Sequence, residues 1–498
     1  MASLDPRACY RALQARDPRF DGRIFVAVRT TGIYCRPVCP ASPARFENCR
    51  FFPSAAAAQD AGFRPCLRCR PETTYELGAW RGTSNTVARA LTLITEGALD
   101  EDEGNVEALA ERVGVGERQL RRLFQRHLGA SPVAVATTRR VLFAKHLLHE
   151  TRLPMTEVAA AAGFGSVRRF NEAFRDLFGC SPTSLRRGAA SSLPPGSAAH
   201  AGVTVLLRYR PPYDWAAMLA HLSARAIRDV ERVRDGRWSR VVVEGSAVGA
   251  VEVRPAPKDH ALVATIRFPE VALLPKIVAR VRRLFDLDTE IDAIEAHLKR
   301  DPRLRPLVAA RPGLRVPGAW DGFELAVRAV LGQQVSVAAA RRLLGELVAL
   351  AGAEAATGDP ELARAFPTPA AVAAAAPRLR IPAARKRALV AVSEATVADP
   401  ALFRARGTVE DTVAKLTAVR GVGDWTAHYV ALRAAREPDA FPSTDAALVR
   451  AAAALGHARD AEELVLRAES WRPWRGYAAQ HLWAADAESP ARTRKTSP

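Results

Sequence analysis

Cys35, Cys39, Cys66 and Cys69 are the residues of this chain best placed to do chemistry. They read C-x3-C, then twenty-six residues, then C-x2-C. Two close thiol pairs joined by a loop can close into one tetrahedral four-sulfur site, the donor set that best suits zinc. A metal-bound sulfur is a thiolate, and a thiolate is a nucleophile. Such a site is either a staple or a reagent. Spacing alone favours the staple, because most four-sulfur zinc sites are closed and inert. Cys9, Cys49 and Cys180 stand alone in the sequence, and buried or idle thiols are the expectation for each.

The elements that must position these cysteines belong to a chain of 498 residues, long enough for about three domains of ~150 residues each. Hydrophobic residues make up 48%, ample for packed cores. No run of eighteen apolar residues occurs, and the first residues, MASLDPRACYRALQARDPRF, have no apolar h-region. We therefore expect neither a membrane partner nor a signal peptide. Cysteines at metal spacing fit a reducing cytoplasm better than a disulfide framework. The net charge of +19, from 72 Lys+Arg against 53 Asp+Glu, is a footprint for a polyanion such as DNA or RNA. A cytoplasmic, nucleoid-associated protein is the expectation.

Residues 1–76 hold the cysteine cluster among Gly and Pro punctuation, with little helical period. Residues 84–187 read as amphipathic helices with Gly-containing turns. The stretch 188–202, GAASSLPPGSAAHAG, is small, polar and nearly uncharged, and reads as a linker. Residues 203–285 read as strands with helices between them, and from 286 the pattern is helical. The Ala-rich stretch 351–376 reads as a helix pair with small residues at its contacts, and the tail, 486–498, as disordered.

AVRTTGIYCRPVCPA (27–41) followed by AGFRPCLRCRPE (61–72) resembles the N-terminal domain of the Ada adaptive-response proteins, over residues 1–76. The resemblance implies one zinc ion held by all four cysteines. It also implies that Cys35 accepts a methyl group from a DNA methylphosphotriester. That chemistry is sensible: the thioether product is neutral, so methylation removes one negative charge and should tighten binding to phosphate. Thr31 and Arg64 match family positions near the DNA backbone, and Arg64 is the better phosphate partner. Ser42 stands where the family carries an arginine.

Residues 105–128, NVEALAERVGVGERQLRRLFQRHL, read helix, turn, helix, and a second copy follows at 156–178. The two copies are similar to the AraC-type DNA-binding domain, down to the G-x-S-P turns at 129–132 and 179–182. In that design each second helix enters a major groove. The exposed sets carry Arg118, Gln119 and Arg122 in the first copy, and Ser166, Arg168 and Arg169 in the second. The partners so implied are promoter DNA and RNA polymerase.

From about 203 to 485 the chain resembles the AlkA-type 3-methyladenine DNA glycosylases, on the segments 208–227, 310–343 and 416–434. The most diagnostic piece is RGVGDWTA followed by FPSTDAALVR (441–450), a helix-hairpin-helix and its aspartate. Gly421 and Gly423 allow a tight turn whose amides can hold a phosphate. A monovalent cation at this hairpin belongs to the same expectation; an organic cofactor does not. Asp445 matches the catalytic aspartate, whose charge would stabilise the positive sugar formed as the N-glycosidic bond breaks. Asp445 also reads as a helix N-cap, and the two roles can coexist. Trp425 stands where lyase members carry a Schiff-base lysine, which implies a monofunctional enzyme. Trp425, Tyr429 and Trp483 match aromatic pocket positions suited to a cationic purine. His221 and Ala446 replace two further pocket aromatics, and Gln334 takes the place of the side chain that wedges into the duplex. No P-C-H-R sequence of O6-alkylguanine methyltransferases occurs.

The expected fold is multidomain and mainly α with an α+β portion. It comprises a zinc and methyl-acceptor domain (1–76), an AraC-type double helix-turn-helix (84–187), an AlkA N-terminal-like α+β subdomain (203–285) and an all-α helix-hairpin-helix glycosylase domain (286–485). The expected function joins excision of alkylated bases such as 3-methyladenine to methyl-triggered transcriptional activation. The alternative is a regulator whose glycosylase-like half only binds DNA.

Overall fold

The computed structural model describes residues 5–17, 20–21, 24–69, 71, 85–95, 97–100, 105–151, 153–189, 202–405 and 408–488. It packs as two compact units, Met1–Tyr209 with Ala256–Ala279, and Arg210–Pro255 with Arg280–Pro498.

In the first unit, α1 (Pro6–Gln14) starts at an Asp5 N-cap with proline at its first position. Four strands follow: β1 (Phe25–Val28), β2 (Ile33–Cys35), β3 (Cys49–Phe52) and β4 (Arg64–Pro65), with α2 (Ala55–Asp60) between the last two. Their order is β3-β1-β2-β4. β1 and β2 form a hairpin in which Val26 faces Cys35, while β4 runs parallel to β2 with Pro65 opposite Tyr34. That parallel pairing sets Cys66, just past β4, level with Cys35. Phe25, Ala27, Tyr34, Ala58 and Phe63 form the small core beneath. The two short helices were not visible as a helical period, because nine and six residues complete too few turns for one.

The helical part of this unit comprises α3 (Asn85–Thr95), α4 (Val106–Val113), α5 (Glu117–Leu128), α6 (Pro132–Glu150), α7 (Met155–Ala161), α8 (Val167–Phe178) and α9 (Pro182–Ala189). The pairs α4–α5 and α7–α8 are the two helix-turn-helix copies. α5 buries Leu120, Phe124 and Leu128, spaced by four, and α8 buries Phe170, Phe174 and Phe178 on the same spacing. Both end in a left-handed glycine, Gly129 and Gly179. α9 runs two residues into the expected linker, whose residues 190–201 lie outside the described ones.

The later strands are β5 (Val203–Arg208), β6 (Glu231–Arg234), β7 (Arg237–Glu244), β8 (Ala247–Ala256) and β9 (Ala261–Arg267). β5 and β9 pair antiparallel, from Val203 opposite Ile266 to Arg208 opposite Ala261. β6, β7 and β8 form a meander, with Val233 opposite Trp238 and Trp238 opposite Val253. The expected 203–285 subdomain is thus shared between the compact units: β5 and the turn at Val271–Leu273 lie against α6 and α7.

The helices beyond the linker are α10 (Trp215–Arg225), α11 (Leu274–Leu284), α12 (Ile291–Leu298), α13 (Leu304–Ala310), α14 (Gly322–Gly332), α15 (Val337–Ala351), α16 (Pro369–Ala375), α17 (Ala383–Ala398), α18 (Val409–Thr417), α19 (Asp424–Arg433), α20 (Ala446–Ala454), α21 (Ala461–Ala468) and α22 (Arg475–Glu488). α14, buried over most of its length, runs through the middle of the second unit's core. The Ala-rich stretch is not a helix pair throughout. Residues 352–368 carry no helix and include an antiparallel bridge between Glu354 and Arg364. Gly358, Asp359 and Pro360 interrupt the alanines there and favour a turn. α22 extends through Glu488, two residues beyond the expected start of the tail at 486, and residues 489–498 lie outside the described ones.

Candidate functional site

The four sulfurs of Cys35, Cys39, Cys66 and Cys69 lie within 4.8 Å of one another. Cys39, Cys66 and Cys69 are buried; Cys35 is half-exposed. Left as thiols, the four cannot all ionise. Hydrogen bonds from Cys39, Cys66 and Cys69 and burial push Cys35 far up, while hydrogen bonding with Cys35 draws Cys39 down to about 7. A cation among them would let four thiolates coexist, so the donor set fits zinc. The backbone amide of Arg36 donates to Cys69 Sγ at 3.4 Å.

Sequence reasoning missed the support of this cluster. Arg36, between the two cysteines of C-x3-C, is buried. Its Nε donates to Asp21 Oδ1 at 2.8 Å, its Nη1 donates to the Cys69 carbonyl at 3.1 Å, and its Nη2 pairs with the other Asp21 oxygen. Thr31, in the β1–β2 turn, and Arg64 are exposed on the same module.

On the two second helices, Arg118, Gln119 and Arg122 of α5 and Arg168 and Arg169 of α8 are all exposed. Ser166 is exposed too, but its hydroxyl caps α8 by accepting from Arg169 N at 3.2 Å. Arg168 Nε lies 2.9 Å from Glu172 one turn on. The Arg168–Glu172 pair is exposed on both sides and contributes little to stability.

Within the second unit, Asp445 is the N-cap of α20, as one reading of the sequence required. Oδ1 accepts from Ala447 N (2.9 Å), Leu448 N (3.1 Å) and Trp483 Nε1 (3.1 Å), and Oδ2 from Trp425 Nε1 (2.8 Å). Trp425 stacks on Tyr429 with centroids 5.3 Å apart, and Trp483 meets Tyr429 edge-on. The structure therefore brings together all four residues assigned to this pocket.

Arg433 and Arg225 were not foreseen there. Arg433 is buried, with its guanidinium 5.0 Å from the Tyr429 centroid and 5.1 Å from that of Trp483. Burial lowers its pKa to about 10, and it donates to the Pro317 carbonyl and Gln480 Oε1. Burial pushes the Tyr429 phenol up, but Arg433 and a hydrogen bond from Arg225 outweigh it and bring the pKa below its usual value. His221 is held neutral by burial and by Arg225, Arg433 and Arg328. The aromatic cleft is thus not simply electron-rich: the chain supplies its own cation to two of the three rings. Arg225 is held in turn through its carbonyl, which accepts from Arg328 Nη1 at 2.7 Å. Arg328 belongs to a buried network with Glu231, Glu324 and Arg240. Burial there would raise Glu324, but Arg240 and Arg328 draw it down to about 2. Ala446 is exposed at the first turn of α20.

The hairpin lies between α18 and α19. Gly421 has φ +87°, and a Cβ there would sit 2.4 Å from Ala388 Cβ, so glycine is required twice over. At Gly423, the N-cap of α19, nothing in the chain fills the space of a Cβ. Gln334 is exposed at φ +56°, in the turn between α14 and α15. Its neighbour Gln333 donates through Nε2 to the Gly421 carbonyl (3.1 Å) and to Thr426 Oγ1 (3.2 Å), fastening that turn to the hairpin. Beside it, Lys386, Arg387 and Arg420, with Glu394, line a groove of about 440 Å³. The sequence signal was R-L-R-I-P-A-A-R-K-R at 378–387, lost among many arginines. Among the described residues no helix is long and apolar enough to cross a membrane.

Three family models match the chain: the metal binding domain of Ada over residues 8–72, a helix-turn-helix domain over 109–188 and the AlkA N-terminal domain over 204–321. The "DNA-3-methyladenine glycosylase 2" of Escherichia coli is 36% identical over 288 residues, covering 57% of this chain and 98% of that protein. The solved 3-methyladenine DNA-glycosylase of Archaeoglobus fulgidus shares the fold at a TM-score of 0.51 and 21% identity, over 57% of this chain and 98% of its own. The "Probable bifunctional transcriptional activator/DNA repair enzyme AlkA" of Mycobacterium tuberculosis is 42% identical over 488 residues, 96% of each chain. With that likeness running through the zinc module, both helix-turn-helix copies and the Asp445 pocket alike, the chain belongs to the family of these bifunctional AlkA proteins.

Proposed function

We propose that this chain is a DNA alkylation-response protein with two activities. Residues 203–485 act as a monofunctional glycosylase on alkylated bases such as 3-methyladenine. Residues 1–76 take a methyl group from DNA methylphosphotriesters, and residues 84–187 read promoter DNA.

The observation that carries the glycosylase reading is Asp445 with four hydrogen bonds. Three of these bonds fall on Oδ1 and one on Oδ2, so Oδ1 is saturated and Oδ2 keeps an acceptor site. The carboxylate is thereby held in place as a negative charge. When the C1′–N bond breaks, its electron pair leaves with the base, and Asp445 stabilises the positive sugar that remains. Water then bonds to C1′ and sheds its proton to solvent. Trp425 holds Asp445 where a lyase would carry its amine nucleophile. Gln334 fills the gap of the flipped nucleotide, and the hairpin amides at Gly421 and Gly423 hold a phosphate. A monovalent cation at the hairpin belongs to the same proposal.

In the zinc module, Cys39, Cys66 and Cys69 are buried, and the Cys69 sulfur also accepts from the Arg36 amide. Cys35 is the half-exposed sulfur of the four and so the one open to a DNA methyl group. Zinc bound by the four cysteines would keep them ionised at neutral pH. Cys35 Sγ bonds to the methyl carbon, the carbon–oxygen bond breaks, and the phosphodiester leaves as an anion. Thr31 and Arg64 contact the backbone, while Arg118, Gln119, Arg122, Ser166, Arg168 and Arg169 contact DNA through the two second helices. An RNA polymerase contact completes the activator role.

One purified sample tests both activities. Free 3-methyladenine released from methylated duplex, together with a mass gain of one CH2 on Cys35 after exposure to methylphosphotriester DNA, is the expected result. DNA binding without base release would establish the regulator-only alternative.

A further inference from the structure

Both ends of α2, a helix of the zinc module, are fastened to the DNA-binding helices. At its start, Ser54 Oγ accepts from Ala57 N at 3.0 Å and donates to the Leu128 carbonyl at 2.6 Å. Leu128 is the last residue of α5, so one hydroxyl serves the beginning of one helix and the end of another. At its far end, Gln59 Nε2 donates to the Tyr34 hydroxyl at 2.8 Å, while Gln59 Oε1 accepts from Thr138 Oγ1 at 2.7 Å. Tyr34 is fully buried and is the residue before Cys35. Thr138 is buried on α6, which joins the two helix-turn-helix copies.

The packing around these bonds is close. A Cβ on Gly129 would lie 3.2 Å from Ala57 Cβ and 3.3 Å from Pro53 Cγ. A Cβ on Gly179 would lie 3.2 Å from Arg64 Nη1. Gly129 and Gly179 are the corresponding caps of α5 and α8, so the zinc module touches the same point of both repeats.

We propose that α2 couples the state of Cys35 to the DNA-binding helices, with Gln59 as the positioning residue that links the β2 strand to α6. The proposal rests on the reading of Cys35 as methyl acceptor and goes beyond the loss of charge at its sulfur. Loss of charge acts only when a phosphate is near; a packing link acts with no DNA present. A methyl group on a half-buried sulfur at the end of a three-residue strand takes up room, and in this proposal β2 shifts to make it. Tyr34 moves with that strand. Gln59 has little slack to absorb the movement, because both polar ends of its partly buried amide are bonded, at 2.8 and 2.7 Å. The displacement therefore reaches Thr138, and α6 sets how α5 and α8 are presented.

The test uses the full chain. Wild type, Gln59→Ala, Thr138→Val and Thr138→Ser are each incubated with a methylphosphotriester duplex, stripped of DNA at high salt and compared with untreated protein. Intact mass and amide hydrogen exchange are read on the same samples. Valine keeps the shape of threonine without its hydroxyl, and serine keeps the hydroxyl. Methylation should alter exchange along α6 by about threefold or more in wild type and Thr138→Ser. It should leave α6 unchanged in Thr138→Val and Gln59→Ala. A merely structural bond would instead shift exchange equally in treated and untreated protein. A Cys35 adduct with no α6 response in wild type, or with the same response in Thr138→Val, overturns the coupling alone. No adduct in wild type overturns the reading of Cys35 and the coupling with it.

Discussion

The indole Nε1 of Trp425 donates to Asp445 Oδ2 at 2.8 Å. In the proposed glycosylase this one residue would take the place of a lyase's lysine and also hold the charge that remains. Asparagine caps helices as well as aspartate does, so Asp445→Asn should fold normally. Base release should nonetheless fall by roughly 100-fold or more, the usual cost of losing a charge aimed at the transition state. Single-turnover release of 3-methyladenine beside a thermal melt checks both halves. Unchanged release would mean that the charge is not used.

Trp425→Phe and Trp483→Phe each remove one indole donor from Asp445 while keeping an aromatic ring. Release should slow about tenfold in each, the effect of ~1.4 kcal/mol. The double variant should approach Asp445→Asn in rate, since both indoles act through the same carboxylate. Full activity in either single variant would show that the indoles only pack.

Arg387→Gln combined with Arg420→Gln should weaken binding of undamaged duplex and lower the slope of log K against log salt by up to about 2. Saturating turnover should not change. A slope equal to that of wild type would place the groove between α17 and the hairpin outside the DNA path.

His481 is buried, and burial, then Arg311 and Lys299, lower its pKa to about 4 from an ordinary 6.5. Below 6.5 the unfolded chain takes up a proton that the folded one refuses. Stability is therefore lost as pH falls from 6.5 towards 4, by an amount on the order of 3 kcal/mol from this group. His481→Gln should flatten that part of the curve. Urea midpoints at pH 7 and pH 5, followed by tryptophan fluorescence, decide it. Equal losses in both proteins would assign the acid sensitivity elsewhere.

The chemistry of this chain was legible where residue type and spacing are both constrained. Four sulfurs must lie at metal distance, a tight hairpin needs Gly421, and a glycosylase needs a carboxylate after it. What the sequence did not reveal was carried by common residues in plain settings. Arg433 and Arg225 are two of many arginines, and only packing places them against Tyr429. Ser54 and Gln59 flank a run of four alanines that reads as filler, although both reach across to the DNA-binding helices. Asp21 and Arg36 lie fifteen residues apart, with no periodicity to suggest that they meet. The residues at 352–368 went the other way: their alanines suggested helix, and the turn formers among them prevailed.

Cys35 is the half-exposed sulfur of its cluster, and the thioether proposed for it would have no chemical route back. A thioether is neither reduced by cellular thiols nor hydrolysed. The record of an alkylation event would therefore outlast the lesion that wrote it, while the Asp445 centre on the same chain turns over unchanged. How long a cell keeps responding would then be set by proteolysis and by dilution through growth rather than by an eraser, and the lifetime of the polypeptide would be the clock.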